Sequence, residues 1–116
     1  MRLRSDIWVS AYIRRCASEG AAAQLRRRGA AEAGAIYVKI DRLDGTAALY
    51  AVSQDAPPEA SGIDRLFARQ HREAWIESAA VEKRMARAIE FDGDLWFVEA
   101  EDRKGEARLD LADGEA

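Results

Sequence analysis

The sequence predicts an α+β fold, in which one antiparallel sheet of four or five strands packs against two helices. Three observations support this prediction: a turn dipeptide at 44–45 lies between two apolar segments, an apolar helical stripe runs through residues 78–90, and strand-like alternation resumes at Leu95. A chain of 116 residues has the length of one domain with one core. We expect residues 1–112 to form that domain and residues 113–116 to be a frayed tail.

The first element, residues 6–19, fits two patterns. Apolar residues alternate as in a strand at positions 7, 9, 11 and 13, but they also follow helical spacing at positions 9, 12, 13, 16 and 17. The boundaries favour a helix, because Ser5 or Asp6 can supply an N-cap oxygen and Gly20 stands where a left-handed residue ends a helix. We therefore predict a helix.

A short strand and a hairpin are predicted next. The strand lies within AAAQLRRRG, with Ala23 and Leu25 toward the core and the even-numbered side chains outward, and residues 29–34 connect it to the hairpin. At 44–45 the dipeptide Asp-Gly favours a type I′ turn, since both central residues of that turn have positive φ. A two-residue loop then fixes the register. The predicted pairs are Leu43 with Thr46, Ile40 with Leu49, Val38 with Ala51, and Lys39 with Tyr50.

The middle of the chain contains a polar connection, an undecided segment and a helix. Both prolines lie in SQDAPPEASG, residues 53–62, which we expect to be an exposed connection. In residues 63–71, a capped helix would bury Ile63, Leu66, Phe67 and Gln70, whereas an edge strand would align Leu66, Ala68 and Gln70. A longer helix is predicted for residues 78–90. Its expected buried stripe is Val81, Met85, Ala88 and Ile89, and its expected solvent face is Glu82, Lys83, Arg84 and Arg87.

The C-terminal region begins with DGDLWFVEAEDR, residues 92–103, where apolar residues lie among carboxylates. From Leu95 the alternation predicts a strand with Trp96, Val98 and Ala100 on one face and Phe97, Glu99 and Glu101 on the other. The dipeptide Lys-Gly at 104–105 can turn this strand back into a second hairpin. The predicted pairs are Val98 with Leu111, Ala100 with Leu109, Glu101 with Arg108, and Glu99 with Asp110.

Composition excludes several classes of protein and site. The apolar runs are far too short to span a membrane, and the N-terminal residues lack a signal-peptide pattern, so we expect a cytoplasmic protein. Cys16 is the sole cysteine, which excludes an internal disulfide and any site with several thiolate ligands. We expect Cys16 to be a small buried side chain, and His71, which has no companion histidine or cysteine, to have no catalytic or metal role. No cofactor is predicted.

Charge is distributed unevenly along the chain. The net charge is −3, but residues 1–28 hold seven arginines and two carboxylates, whereas residues 90–116 hold ten carboxylates and three basic residues. This asymmetry fits an anion-binding face, an attraction within the chain, or a head-to-tail contact between subunits. Fifteen arginines against three lysines favour bidentate phosphate contacts, but in an Ala-rich chain a compositional bias of the genome explains them equally well.

Three blocks resemble a family of small bacterial proteins called domain of unknown function 1491. They are RLRSDIWVSAYIRRC, LRRRG leading to AGAIYVKIDRLDGTAALY, and FDGDLWFVEAEDR. The resemblance spans nearly the whole chain. It departs from the family pattern at Ala30, where an aspartate is usual, and at Gly93, where a proline usually separates the flanking acids. The resemblance implies a cytoplasmic bacterial protein and no catalytic residues, since the family has no established activity.

Five carboxylates are candidates for an acidic partner surface: Asp92, Asp94, Glu99, Glu101 and Asp102. Glu99 and Glu101 lie about 7 Å apart at Cβ on one strand face, near the separation of paired carboxylates in glycoside hydrolases. Catalysis also needs a cleft and a desolvated acid with a raised pKa, which disfavours it in so short a chain. A magnesium or calcium site from Asp92, Asp94, Glu99 and Asp102 matches no calcium-loop spacing. We predict no catalytic residue and no metal site.

Two further groups of side chains are candidates for binding. The anion or partner candidates are Arg14, Arg15, Arg26, Arg27 and Arg28. They come from a helix end and the strand after it, so their guanidinium groups can share one surface. The net negative charge and the absence of a reader motif disfavour nucleic acid. The aromatic anchors of a core or interface are Trp8, Trp75 and Trp96.

The leading hypothesis is a non-enzymatic protein-interaction module that forms a homodimer. Opposite charges at the two ends and the absence of a catalytic constellation favour it. The first alternative is binding of an anion or nucleic acid through the arginine cluster. The second is a small hydrolase that uses Glu99 and Glu101.

Overall fold

The computed structural model describes residues 3–52 and 65–112, which form two helices and seven strands. The helices are α1 (Ser5–Ser18) and α2 (Ser78–Phe91). The strands are β1 (Ala23–Arg27), β2 (Ile36–Asp41), β3 (Thr46–Val52), β4 (Leu66–Arg69), β5 (Ile76–Glu77), β6 (Trp96–Glu101) and β7 (Asp110–Leu111). The connection predicted at 53–62 and the tail predicted at 113–116 lie outside the described residues.

The seven described strands belong to one mixed sheet, with the order β1-β6-β2-β3-β4-β7 and with β5 paired to β3. The pairs β2–β6 and β4–β7 are parallel, and the other pairs are antiparallel. The prediction of a single α+β domain with two helices is confirmed, but the prediction of an antiparallel sheet of four or five strands is wrong. The crossover through α2 returns the chain so that β6 enters between β1 and β2, parallel to β2.

The two helices cover opposite faces of the sheet and give the domain two apolar cores. On the first face, Tyr12 and Cys16 of α1 share a buried cluster with Val98 of β6. On the second face, Met85 of α2 shares a buried cluster with Leu49 of β3. Interior strands therefore need apolar residues on both faces, which one-sided alternation does not describe.

The first predicted helix is present as α1, and Gly20 ends it with a φ of +82°, as predicted. The predicted side-chain N-cap is wrong. The backbone N–H groups of Ser5 and Asp6 instead donate to carbonyl groups of the 29–34 connection, at 3.2 and 3.0 Å. The buried Ser5 hydroxyl donates to the carbonyl of Gly34 at 2.7 Å. A neighbouring loop thus satisfies the free N–H groups of the first turn in place of a side chain.

The hairpin predicted around residues 44–45 is present as β2 and β3, but its predicted register is wrong by one residue. The observed pairs are Val38 with Tyr50, Lys39 with Leu49, and Ile40 with Ala48. Arg42 donates its N–H to the carbonyl of Thr46 at 3.1 Å, so the loop holds three residues, 43–45, of which Leu43 has a φ of +64° and Gly45 a φ of +91°. Because β3 has small apolar residues on both faces, its pattern does not select one register.

The short strand predicted within AAAQLRRRG is present as β1, and part of the undecided segment 63–71 forms β4. β1 is present, but Leu25 is 36% exposed rather than in the core, because β1 lies at the edge of the sheet. Residues 66–69 form β4, and Phe67 is fully buried in the first core, so the helical alternative is wrong for them. Ile63 lies outside the described residues.

The strand predicted from Leu95 is present as β6, but the second hairpin is wrong. β6 has β1 on one side and β2 on the other, so neither of its edges is free for β7. β7 pairs in parallel with β4 instead, through Leu66 with Asp110 and Phe67 with Leu111. The predicted turn at 104–105 is present, and Gly105 has a φ of +79°.

The chain before β6 passes very close to Gly29 and Gly34. A Cβ atom on Gly29 would lie 2.2 Å from the carbonyl oxygen of Asp94, and one on Gly34 would lie 2.4 Å from the same oxygen. The N–H of Ala30 donates to this carbonyl at 2.9 Å. Glycine at these two positions therefore lets the 29–34 connection fix the start of β6.

Candidate functional site

Four charged side chains from four elements meet on the α2 face of the sheet, and we call them the ion-pair cluster: Arg26, Lys39, Glu82 and Glu99. Arg26 donates to Glu82 at 2.7 Å and to Glu99 at 2.5 Å. The Nζ of Lys39 lies 2.7 Å from Glu82 and 3.6 Å from Glu99. The cluster thus links β1, β2, β6 and α2.

Mutual contact keeps Arg26 and Glu82 charged against the cost of burial. The side chains of Lys39 and Glu99 are only 4% and 11% exposed. The hydrogen bond from Arg26, helped by Lys39, lowers the pKa of Glu82 to about 2 against the opposing effect of burial. Glu82 in turn raises the pKa of the Arg26 guanidinium. Glu82 is therefore an ion-pair partner. A general acid needs a pKa near the pH at which it acts, and the pKa of Glu82 lies far below neutral pH.

Of two sequence predictions about these acids, one is incomplete and the other is wrong. Glu82 is predicted to face solvent, and 39% of its side chain is exposed, but it also accepts hydrogen bonds from two cations of the sheet. Glu99 was expected beside Asp110 on a solvated face, but it is buried beside Arg26 because β7 is not its neighbour. The spacing of residues within one element does not reveal ion pairs between elements that are far apart in the sequence.

The remaining candidate carboxylates serve local contacts or face solvent. The Asp92 carboxylate accepts the N–H of Asp94 at 2.9 Å, which closes the turn before β6. Asp102 is partly buried, which raises its pKa, but a 2.8 Å hydrogen bond from Arg108 and hydrogen bonds from backbone N–H groups together lower it overall. Arg108, predicted to pair with Glu101, instead pairs with Asp102 and, at 2.7 Å, with Glu19.

Glu99 and Glu101, the pair considered for hydrolysis, line one cavity of about 190 Å³ together with Gln24 and two alanines. Glu101 is exposed, whereas Glu99 accepts a hydrogen bond from Arg26. One carboxyl group is therefore held by a cation and the other is solvated, so neither has the desolvated, unpaired setting that a catalytic acid needs. Within residues 3–52 and 65–112, no three His, Cys, Asp or Glu side chains are grouped to hold a metal ion.

The structure does not bring the five candidate arginines together on one surface. Arg14 and Arg15 are exposed on α1, which covers the first face of the sheet. Arg26 lies on the second face, in the ion-pair cluster. Arg27 donates to the carbonyl of Gly93 at 2.9 Å, and the Arg28 guanidinium lies 5.3 Å from the ring centre of Trp96.

The three tryptophans are embedded in the fold. Trp96 is 2% exposed, and its Nε1 donates to the carbonyl of Ala30 at 2.8 Å. Trp8 is stacked on Tyr12 at 5.2 Å between ring centres and packs against the first core. The Arg42 guanidinium lies 4.0 Å from the ring centre of Trp75.

Cys16 and His71 are also placed inside the domain. Cys16 is fully buried, and burial raises the pKa of its thiol. The Nε2 of His71 accepts the N–H of Leu49 at 3.0 Å, so its Nδ1 donates to the carbonyl of Glu73 at 2.8 Å. Burial lowers the pKa of His71, so the ring stays neutral and holds the chain after β4 against β3.

Sequence reasoning missed one surface, which we call the Phe91 groove. Phe91, the last residue of α2, has 87% of its surface exposed. It borders a depression of about 280 Å³ between α2 and the sheet, lined by Tyr37, Leu49, Gln70, Arg84, Arg87, Ala88 and Phe91. The available signal was that Phe91 falls outside the buried stripe of α2.

We compared the chain with known protein families and with known proteins. Residues 3–110 match the model of a family described as "Protein of unknown function (DUF1491)". The chain belongs to the DUF1491 family. This confirms the resemblance found in the sequence. No curated protein matches the chain.

Three similar solved structures share the fold, and two of them are described as DUF1491 family proteins. A crystal structure of a DUF1491 family protein from Caulobacter crescentus is 35% identical, with a TM-score of 0.78 over 97% of this chain and 99% of that one. The solution structure of protein Atu0922 from A. tumefaciens is 33% identical, with a TM-score of 0.80 over 97% of both chains. An NMR structure of a DUF1491 family protein from Caulobacter crescentus is 36% identical, with a TM-score of 0.76 over 97% and 98%. Neither described helix of the present chain has the length and apolar character needed to cross a membrane.

Proposed function

We propose that this DUF1491 protein is a non-enzymatic protein-interaction module that acts in the cytoplasm. The observation that carries the proposal is Phe91, an aromatic side chain that is 87% exposed beside a groove. Covering such a side chain contributes about 1.5–3 kcal/mol to an association. Aromatic and arginine side chains also dominate binding energy at protein interfaces, and both types line this groove.

The placement of the acids supports binding rather than catalysis. Glu82 and Glu99 accept hydrogen bonds from Arg26, and Asp102 accepts one from Arg108. These contacts hold the carboxylates in structural ion pairs. The alternative of a hydrolase built on Glu99 and Glu101 therefore has weaker support than an interaction surface.

Contacts within the chain also weaken two other hypotheses. Opposite charge at the two ends favoured a head-to-tail homodimer, but Arg26 with Glu99 and Arg108 with Glu19 already join the two ends in one molecule. The arginine cluster favoured an anion or nucleic acid, but its members lie on different surfaces. We therefore propose a different protein as the partner, with a second copy of the chain as the alternative.

Site-specific photo-crosslinking in the native host tests this proposal. A benzoylphenylalanine in place of Phe91 is compared with one in place of Ile7, which is 47% exposed on α1, on the other side of the sheet. We expect discrete protein adducts from position 91 and none of the same adducts from position 7. An adduct of two copies would support the module as a homodimer.

The proposal fails if position 91 gives no protein adduct. It also fails if both positions give the same adducts, because that result indicates collisions without a specific surface.

A further inference from the structure

The Phe91 groove has features that define the chemistry of its partner. We propose that it binds an acidic segment of another protein, which inserts one apolar side chain between Phe91 and the sheet and places carboxylates against Arg84 and Arg87. This inference rests on the proposed interaction function and specifies its partner class.

The size of the groove fits one anchoring side chain. It is an open depression of about 280 Å³, at the lower end of the volumes of about 300–1,000 Å³ that are typical of enclosing small-molecule pockets. The floor is formed by Leu49, which is 2% exposed, and by Tyr37 and Ala88, which pack against the second core. Ala88 is small, so the depression beside Phe91 remains open to an aliphatic or aromatic side chain.

The charge of the rim selects an acidic partner. Arg84 and Arg87 line the groove, and no carboxylate is among the described residues that line it. Arg84 donates to the backbone carbonyl of Gln70 at 3.1 Å, which fixes its guanidinium at the rim. Guanidinium groups bind carboxylates through paired hydrogen bonds.

A protein segment fits these features better than nucleic acid or a second copy does. The groove offers one exposed aromatic ring and two arginines, whereas single-stranded nucleic acid needs a longer basic track with several stacking residues. In a second copy, Glu99 and Asp102 already accept hydrogen bonds from arginines of their own chain. These two acids are therefore not free to pair with Arg84 and Arg87, whereas Glu101 is exposed, so contact with a second copy is an outcome that the test must distinguish.

Selection from a random-peptide phage-display library on the immobilised full chain tests the inference. The same library is counter-selected on the Phe91→Ser variant. We expect enriched peptides that combine carboxylates with one large apolar residue, and we expect the Phe91→Ser variant not to retain them. The best peptide is then made with a fluorescein label for anisotropy titrations.

The titrations compare matched variants on the two sides of the sheet. Phe91→Ser should weaken peptide binding by about tenfold or more, because it removes the aromatic anchor. The double variant Arg84→Gln/Arg87→Gln should weaken it about fivefold to twentyfold and reduce its dependence on NaCl between about 50 and about 200 mM. Ile7→Ser and Arg14→Gln, on exposed positions of α1, should stay within about twofold.

Each other result separates this inference from the proposed function. Enrichment of basic or neutral peptides, no enrichment, or binding that survives Phe91→Ser overturns the inference. If one of these peptide results is obtained and position 91 still gives protein adducts in cells, the acidic partner class is rejected while the interaction function stands. An adduct between two copies, or a nucleic acid that competes with the peptide at the groove, also overturns it.

Discussion

The Nζ of Lys39 lies 2.7 Å from the Oε2 of Glu82, so an ion pair joins the interior strand β2 to helix α2. Arg26 and Glu99 extend this contact to β1 and β6. The ion-pair cluster therefore holds three neighbouring strands against the helix that covers them. A buried ion pair adds little net free energy compared with apolar packing, but removal of one partner leaves an uncompensated charge.

Glu82→Gln should change the pH dependence of stability. The pKa of Glu82 is about 2 in the folded chain and 4.5 for the free side chain, so its contribution is present above pH 4.5 and is lost as the pH falls toward 2. Urea unfolding from pH 7 to pH 2 should therefore show the variant less stable at neutral pH, with the difference shrinking between pH 4.5 and pH 2. A constant difference across that range would contradict the ion pair.

Glu99→Gln should destabilise the fold much more than Glu101→Gln. Glu99 is buried beside Arg26 and Lys39, and its neutral replacement leaves Arg26 with Glu82 and leaves Lys39 with Glu82 and a 3.9 Å contact to Asp41. We expect a loss of about 1–3 kcal/mol in the free energy of unfolding. Glu101 is exposed and should be replaceable without a measurable effect. Equal effects in chemical denaturation would mean that Glu99 is solvated.

Gly29→Ala should be strongly destabilising because of the close passage of Asp94. The added Cβ would meet backbone atoms at 2.2 to 2.6 Å, which cannot move as a flexible side chain can. We expect a loss of about 3 kcal/mol or more, or a failure to fold. Gly93→Ala is the matched control, since its Cβ would meet no atom closer than 4.0 Å. Similar thermal unfolding of the two variants would be inconsistent with the described packing.

Phe91→Ser should leave the stability of the isolated chain nearly unchanged. The ring is 87% exposed, so its removal should alter the free energy of unfolding by about 0.5 kcal/mol or less. Met85→Ala, four residues from Ile89 in the buried stripe, should lose about 2–5 kcal/mol because Met85 is 1% exposed. A large loss for Phe91→Ser in chemical denaturation would show that the ring packs within the domain.

Local signals in the sequence were sufficient for the elements that depend on neighbours in the chain. The helix that ends at Gly20, the buried stripe of α2 and the alternation of β6 all follow from residues within one element. The register of the β2–β3 hairpin did not, because Ala47 and Ala48 can each face a core and the loop has three residues.

Relationships between distant elements were beyond local pattern. The position of β6 between β1 and β2 depends on the crossover through α2, and it removes the free edge that a second hairpin needs. The ion-pair cluster depends on the same crossover, which brings Glu82 over Lys39. The Phe91 groove likewise forms only when α2 lies beside Tyr37 and Leu49.

The central claim is that the α2 side of the domain, at the Phe91 groove, is a surface for a protein partner. Backbone amide chemical shifts of the ¹⁵N-labelled chain, measured with and without the partner segment that cross-links to position 91, test this claim most directly. We predict that the largest changes cluster at Tyr37, Leu49 and residues 84–91 and disappear in Phe91→Ser. Changes concentrated on α1 or β1, or unaffected by Phe91→Ser, would contradict the claim.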